Sequence, residues 1–279
     1  MKIRRIPALL LAVALLWQPQ LAQADEASSA RAVVEALLDW NLPLARARLS
    51  AWRSTEPKGP ALPLYHAIME VAEADYSVVL DPVKYDKPLA ALESVISRDL
   101  AFLEHHPDDF AARSSLATAR AIAGRLLMEQ GHWLQAYRYG RSSRIAMQQL
   151  LEERPDFEEG YLILGLFEYF TGSVPVLLRW LTVLIDFSGD RQQGIGYLER
   201  CLSKCRIAAP QAADALLLEV DHAPGDACRY VSLARLMSRR FPHNPRYPKA
   251  QARLKQQCAS EEPALRQMPG KFTLARPDR

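Results

Sequence analysis

A long proline-free stretch with helical spacing of its apolar residues constrains the fold of this chain more than any other feature. No proline lies between Pro107 and Pro155, and Gly131 stands near the middle. In the first half, apolar residues recur at the spacing of an α-helix, at Leu116, Ala119, Ala123 and Leu126. Because proline and glycine mark helix ends, the stretch predicts two antiparallel helices that turn at Gly131.

The same helical pattern occurs along the rest of the chain. No segment shows sustained period-two alternation with β-branched residues, which is the pattern of a β-strand. We therefore predict an all-α fold. Four candidate helices precede the proline-free stretch, with the sequences SARAVVEALLDW, NLPLARARLSAW, GPALPLYHAIMEVAEADY and DKPLAALESVISRDLAFLEHH.

The starts of successive helix pairs are similar to one another. Pro-Asp pairs at residues 107–108 and 155–156 both separate one helix pair from the next. A Gly-x-aromatic-x-x-Ala pattern begins the second helix of a hairpin, at Gly131, Trp133 and Ala136, and a Gly-Asp-Arg-x-x-Gly start follows an apolar insert. These motifs resemble divergent tetratricopeptide-repeat (TPR) proteins of the bacterial envelope. The resemblance implies a TPR-like solenoid of helical hairpins.

This interpretation divides the chain into four regions. We expect a signal peptide at 1–24, an N-terminal helical region at 25–105, TPR-like repeats at 106–259 with an apolar insert at 173–188, and a flexible C-terminal tail at 260–279. The N-terminal helical region caps the helical stack, and the tail lacks a periodic apolar face.

The N-terminus has the pattern of a secretory signal peptide. Lys2, Arg4 and Arg5 precede an apolar stretch from Ala8 to Trp17, and an Ala-x-Ala cleavage site ends at Ala24. We therefore expect a periplasmic protein, and not a lipoprotein, because no cysteine follows the cleavage site. The chain has 35 Lys and Arg against 32 Asp and Glu, and removal of the leader makes these numbers equal. This balance argues against a nucleic-acid partner.

The insert is the most apolar run after the leader. Between Val174 and Phe187, the polar residues fall on one narrow stripe of a helix, at Arg179, Thr182 and Asp186. About 14 residues are too few to span a bilayer, so we expect no transmembrane helix after signal removal. We predict a short helix over 174–187, packed in or across the groove of the solenoid, with Trp180 mostly buried. The alternative is contact with a partner or a membrane surface.

Three arginines form a stripe on the helix that follows Gly131. Arg138, Arg141 and Arg144 share one broad face, with Tyr137 beside them. Such a stripe could bind peptide carboxylates or an acidic partner, and its alternative is a solvated face balanced by nearby glutamates. Our candidate partner-binding residues are these four and Trp180.

Catalytic and metal-binding motifs are absent from the sequence. His105, His106, Asp108 and Asp109 indicate a solvated helix end, because adjacent histidines on a helix point in different directions. We therefore expect no enzymatic activity, no cofactor and no metal. The predicted function is a periplasmic scaffold that binds a protein or peptide through its concave face. The alternative is an envelope-assembly component whose apolar 174–187 helix contacts lipid or a membrane protein.

The four cysteines permit three pairings in an oxidising compartment. If the chain turns at residues 242–244, Cys228 and Cys258 lie equally far from His243 on two antiparallel helices. Equal rises along these helices bring the two cysteines to the same level, so we predict a Cys228–Cys258 disulfide. Cys201 and Cys205 remain, one turn apart, and either form a local disulfide or stay reduced.

Overall fold

A computed structural model of the protein describes residues 26–77, 81–173, 189–220 and 226–266, with side chains described to residue 260. These residues form α-helices and a short 3₁₀ helix, Pro82–Tyr85, and they contain no strand, which confirms the all-α prediction. The helices are α1 (26–38), α2 (Leu42–Thr55), α3 (Leu62–Asp75), α4 (Asp86–Leu103), α5 (Phe110–Glu129), α6 (Trp133–Glu153), α7 (Gly160–Gly172), α8 (Arg191–Lys204), α9 (Ala209–Leu218), α10 (Ala227–Arg240) and α11 (Arg246–Arg266).

Side-chain caps and one glycine set several of the helix ends. Asn41, Asp109 and Asp190 accept hydrogen bonds from backbone amides in the first turns of α2, α5 and α8. Gly131 has φ of 81° between α5 and α6, a conformation that glycine adopts without steric cost. The predicted turn at Gly131 is therefore confirmed.

Helices that follow one another in the chain pack against each other. Contacts join α2 to α3, α3 to α4, and so on through α11. The four residues that predicted the helical face of α5 are all buried, at Leu116, Ala119, Ala123 and Leu126. Close packing of α5 on α6 depends on small residues, since a methyl group added at Gly124 would lie 3.2 Å from the carbonyl oxygen of Ala136. This sequential packing is the coarse architecture that the repeat pattern indicates.

The first helix also meets the last hairpin. Asn244, in the turn between α10 and α11, donates from Nδ2 to the carbonyl oxygen of Leu38 at 2.7 Å. The neighbouring His243 backbone amide donates to Asp39 Oδ1 at 3.0 Å. Repeats of an open solenoid contact only their neighbours. The N-terminal helices therefore do more than cap one end of a stack, because α1 joins the two ends of the described fold.

The predicted Cys228–Cys258 pair lies at disulfide distance, and so does the Cys201–Cys205 pair, for which the sequence left the reduced state open. Cys228 and Cys258 have Cα atoms 4.7 Å apart at the open end of the α10–α11 hairpin, where the equal helical rises placed them. Cys201 and Cys205 have Cα atoms 4.8 Å apart at the end of α8.

One predicted boundary differs from the structure. Helix α11 continues to Arg266, past residue 260, where we placed the start of the flexible tail. Residues 260–266 include Glu, Ala, Leu and Arg, which favour a helix even where they lack an apolar face, although Pro263 in the same stretch disfavours one. The leader at 1–24 and the tail from residue 267 onward lie outside the described residues.

Candidate functional site

Helix α6 begins with two large apolar side chains that lie in solvent. Trp133 is 66% exposed and Leu134 is 59% exposed. Both precede residues of α6 that pack into the core, such as Met147 and Leu150. The first turn of α6 thus presents an apolar surface where a soluble helix usually presents polar side chains.

Two of the three predicted arginines extend this surface. Arg138 and Arg141 are exposed and follow Leu134 at the i+4 and i+7 positions, so the three residues share one side of α6. Tyr137 is half-buried and lies one turn after Trp133 on the adjacent side. The structure therefore brings together Tyr137, Arg138 and Arg141 from the predicted set.

Arg144 has a different environment from the other two arginines. Its Nε lies 2.7 Å from Oε1 of Glu168, which is buried on α7, and its guanidinium lies over the ring of Phe167. The second oxygen of Glu168 accepts a hydrogen bond at 3.0 Å from the backbone amide of Asp190, just before α8. Arg144 thus helps to hold α6, α7 and the start of α8 together. A buried carboxylate would be costly without such partners.

An exposed aromatic residue of α7 lies beside this part of α6. Phe167 packs against Gly140, where an added methyl group would lie 3.2 Å from the ring. Gly160 at the start of α7 meets Leu151 near the end of α6, so the two helices are antiparallel and Phe170, one turn after Phe167, lies toward the start of α6. Phe170 is 41% exposed. We define the α6 surface as these exposed and half-buried residues: Trp133, Leu134, Tyr137, Arg138, Arg141 and Phe170.

The predicted Gly-Asp-Arg-x-x-Gly motif holds together the two ends of the apolar insert. A methyl group added at Gly189 would overlap Thr171 and the backbone of Gly172, so the chain returns next to where it leaves α7. Asp190 caps α8, and the guanidinium of Arg191 lies 5.3 Å from the centre of the Tyr169 ring. The first three residues of the motif therefore each have a local structural role.

The rest of the predicted site lies outside the described residues. Trp180 belongs to this group, and so does the predicted 174–187 helix with its polar stripe. The prediction that Trp180 is mostly buried stays a prediction.

The α6 surface has the composition of a protein-binding surface. Trp, Tyr and Arg are enriched among the residues that dominate binding free energy at protein interfaces, and large exposed apolar patches mark interaction sites. The guanidinium groups of Arg138 and Arg141 can each donate paired hydrogen bonds to a carboxylate. The arrangement can therefore bind a partner that offers both an apolar side chain and an acidic group.

Several charged groups elsewhere in the described part of the chain have structural roles. Burial raises the pKa of Asp214 to about 6, and Tyr247 donates a hydrogen bond to this carboxylate at 2.9 Å. Asp109 caps α5, while His105 and His106 are exposed in the turn before it. The described residues contain no group of three His, Cys, Asp or Glu side chains that could hold a metal ion.

Sequence reasoning missed three residues of the α6 surface: Trp133, Leu134 and Phe170. Trp133 was recognised only as the aromatic residue of a repeat pattern. Helical spacing was a usable signal for the first two residues. Trp133 and Leu134 lie one turn before Tyr137 and Arg138, so they continue the same stripe of the helix.

None of the helices in the described ranges has the length and apolar character needed to cross a bilayer.

No protein-family model, curated protein sequence or solved structure matches this chain.

Proposed function

We propose that this protein is a secreted, periplasmic, non-enzymatic TPR-like scaffold that binds a protein or peptide partner through the concave face of its helical array. The observation that carries this proposal is the exposure of Trp133 and Leu134 beside Arg138 and Arg141 on α6. Sequential packing of helical hairpins supports the TPR-like assignment.

The physical chemistry of the α6 surface supports a binding role. Leaving large apolar side chains in water forgoes the free energy that their burial would provide, about 1.5–3 kcal/mol for a fully buried Leu or Phe side chain. A partner that covers the surface recovers this free energy. Arg138 and Arg141 add selectivity for a partner with carboxylates.

The two disulfides support the proposed compartment. Disulfides form and persist in oxidising compartments such as the bacterial periplasm, and they are rare in the cytosol. The signal-peptide pattern at residues 1–24 agrees with this location.

Photo-crosslinking in intact cells tests the proposal. A photo-reactive residue at position 137 should give a discrete protein adduct. The combined substitutions Trp133→Ala, Arg138→Ala and Arg141→Ala should reduce this adduct at least tenfold, because truncating a hot-spot residue of an interface costs about 2 kcal/mol or more.

A matched control comes from α10. Leu236 is 56% exposed, and Arg235 and Arg239 are exposed nearby on the same helix. Their combined replacement by Ala should leave the adduct at position 137 unchanged. An adduct that survives the α6 substitutions, or that decreases equally in the α10 variant, contradicts partner binding through the α6 surface.

Membrane-surface contact is a second candidate function. The observation that favours it is that Phe170 of the α6 surface lies two residues before Gly172, near the point where the chain passes into the apolar 174–188 segment. Surfaces that combine exposed Trp and Leu with Arg bind anionic membranes, because the apolar side chains enter the headgroup region and the arginines attract anionic lipid. Sedimentation of the protein with anionic vesicles, lost in the α6 variant and kept in the α10 variant, would support this candidate over a protein partner.

A further inference from the structure

The two disulfides of this protein differ in how closely a reagent in solution can approach them. Cys201 is fully buried and Cys205 is 8% exposed. Both belong to an apolar cluster, against which Tyr161 and Leu162 of α7 pack. A thiolate exchanges with a disulfide only by direct attack on a sulfur atom, so access limits the rate. Burial therefore protects the Cys201–Cys205 disulfide.

The Cys228–Cys258 disulfide lies at the surface of the α10–α11 hairpin. Cys228 is exposed in the first turn of α10, and Cys258 is half-buried on α11. The residues next to Cys228 in the chain do not cover it completely, since Asp226 and Arg229 are exposed as well. This disulfide is therefore the one that a thiolate in solution reaches first.

The same disulfide attaches the last part of α11 to the fold. Leu254 is the last buried side chain that the structure describes on this helix. Among residues 255–260, Cys258 is half-buried and the others are exposed. Ser260 donates a hydrogen bond to the carbonyl oxygen of Gln257, which belongs to the same helix. The described side chains of this stretch form no hydrogen bond or ion pair with another helix, so the disulfide is their main link to α10.

The rest of the hairpin has attachments that do not depend on this disulfide. Tyr247 and Ala250 are buried earlier on α11, and Asn244 donates to the Leu38 carbonyl at the opposite end of the hairpin. Most of the stability of a helix in a protein comes from packing of its apolar face. Residues 255–266 should therefore lose helical structure when the disulfide is broken, while the earlier part of α11 stays in place.

We propose that Cys228–Cys258 is a thiol–disulfide exchange site for a dithiol reductant, and that its reduction releases residues 255–266 from α10. A thiolate of the reductant forms a bond to the Cys228 sulfur, and the electron pair of the broken sulfur–sulfur bond leaves with Cys258 as a thiolate. The second thiol of the reductant then displaces Cys228 from the mixed disulfide. The reductant loses two electrons and becomes a disulfide, and its two protons pass through water to the two cysteine sulfurs.

Timed reduction with dithiothreitol, followed by alkylation and peptide mass mapping, tests the exchange site. Without reductant, all four cysteines should resist alkylation. With reductant, Cys228 and Cys258 should become alkylated at least tenfold faster than Cys201 and Cys205, because the second pair is buried. Alkylation of any of the four without reductant, equal rates for the two pairs, or faster reduction of the buried pair would overturn the proposal.

Hydrogen exchange of the backbone amides measures the release. After selective reduction and alkylation, residues 255–266 should exchange at least tenfold faster, and residues 241–250 should change less. Cys228→Ser with Cys258→Ser should reproduce this acceleration without reductant. The matched control, Cys201→Ser with Cys205→Ser, should keep slow exchange in residues 255–266 until dithiothreitol is added. Unchanged exchange of residues 255–266 in the reduced protein would overturn the release.

This site goes beyond the proposed function, because no residue of the α6 surface takes part in it. The combined substitutions Trp133→Ala, Arg138→Ala and Arg141→Ala should change neither the reduction rates nor the exchange of residues 255–266. Failure of partner binding through the α6 surface would therefore not affect either result. Slower reduction of Cys228–Cys258 in that variant would overturn the independence of the two sites.

Discussion

Gly194 has no room for a side chain, because a methyl group there would overlap the backbone nitrogen of Tyr169 on α7. Gly165 of α7 makes the reciprocal contact with α8, because a methyl group added at Gly165 would lie 2.8 Å from Leu198. Single glycines thus determine how closely α7 approaches α8. This close approach places Glu168 where Arg144 and the Asp190 amide can both reach it.

Substitution of Gly194 by Ala should destabilise the protein. The overlap with the Tyr169 backbone forces α7 and α8 apart, and overpacking of this kind costs about 1–3 kcal/mol. Gly196 is the matched control on the same helix, because an added methyl group there meets no atom within 4 Å. Gly196→Ala should stabilise the protein by about 0.5–1 kcal/mol through helix propensity.

Urea unfolding followed by circular dichroism measures both effects. Equal stability changes for the two variants would show that α7 and α8 do not make this close contact.

The α10–α11 hairpin shows which elements can be predicted from a sequence. Its cysteine pairing followed from the constant rise of an α-helix and the position of the turn near His243, and both are local properties. The helices of the N-terminal region were predictable for the same reason, because apolar spacing and helix-ending residues lie within one segment.

The α6 surface shows where such prediction ends. Exposure of Trp133 depends on which residues lie opposite it, and no local pattern specifies them. The ion pair of Arg144 with Glu168 likewise depends on how α6 packs against α7, so the sequence grouped Arg144 with Arg138 and Arg141 although its partner is a buried carboxylate.

Removal of the Cys228–Cys258 disulfide should cost more stability than removal of the Cys201–Cys205 disulfide. The first closes a loop with a sequence separation of 30 residues and the second a separation of 4. The chain-entropy relation gives about 3–4 kcal/mol for the longer loop and about 2 kcal/mol for the shorter one. Thermal unfolding of the two double Cys→Ala variants measures the difference. An equal loss in both, or a larger loss for the shorter loop, would contradict this order.

Across the whole molecule, contacts between α1 and the last hairpin join the N-terminal and C-terminal parts of the described fold. Asn244 is buried, donates to the Leu38 carbonyl, and accepts a hydrogen bond at 3.0 Å from the backbone amide of Arg246. Apolar contacts follow the same path, since Leu38 packs against the core cluster that contains Tyr247. The ends of the described fold therefore stabilise each other.

Asn244→Ala should loosen α1, which is more than 200 residues away in sequence but in direct contact. Loss of the side chain leaves the Leu38 carbonyl and the Arg246 amide without their partner, at a cost of about 1–3 kcal/mol. Hydrogen exchange of the backbone amides of α1 should accelerate. Leu236→Ala, on the exposed side of α10, is the control and should leave exchange in α1 unchanged. Unchanged exchange in the Asn244 variant would show that α1 is held by other contacts alone.

The contact of Gly189 with Gly172 brings the two described ends that flank residues 174–188 to one place. The register of α7 on α8 is set by Gly165, Gly194 and the residues that they meet, all of which lie outside residues 174–188. A segment that starts and finishes at one place can be lengthened, shortened or replaced without a new register for the helices that carry it.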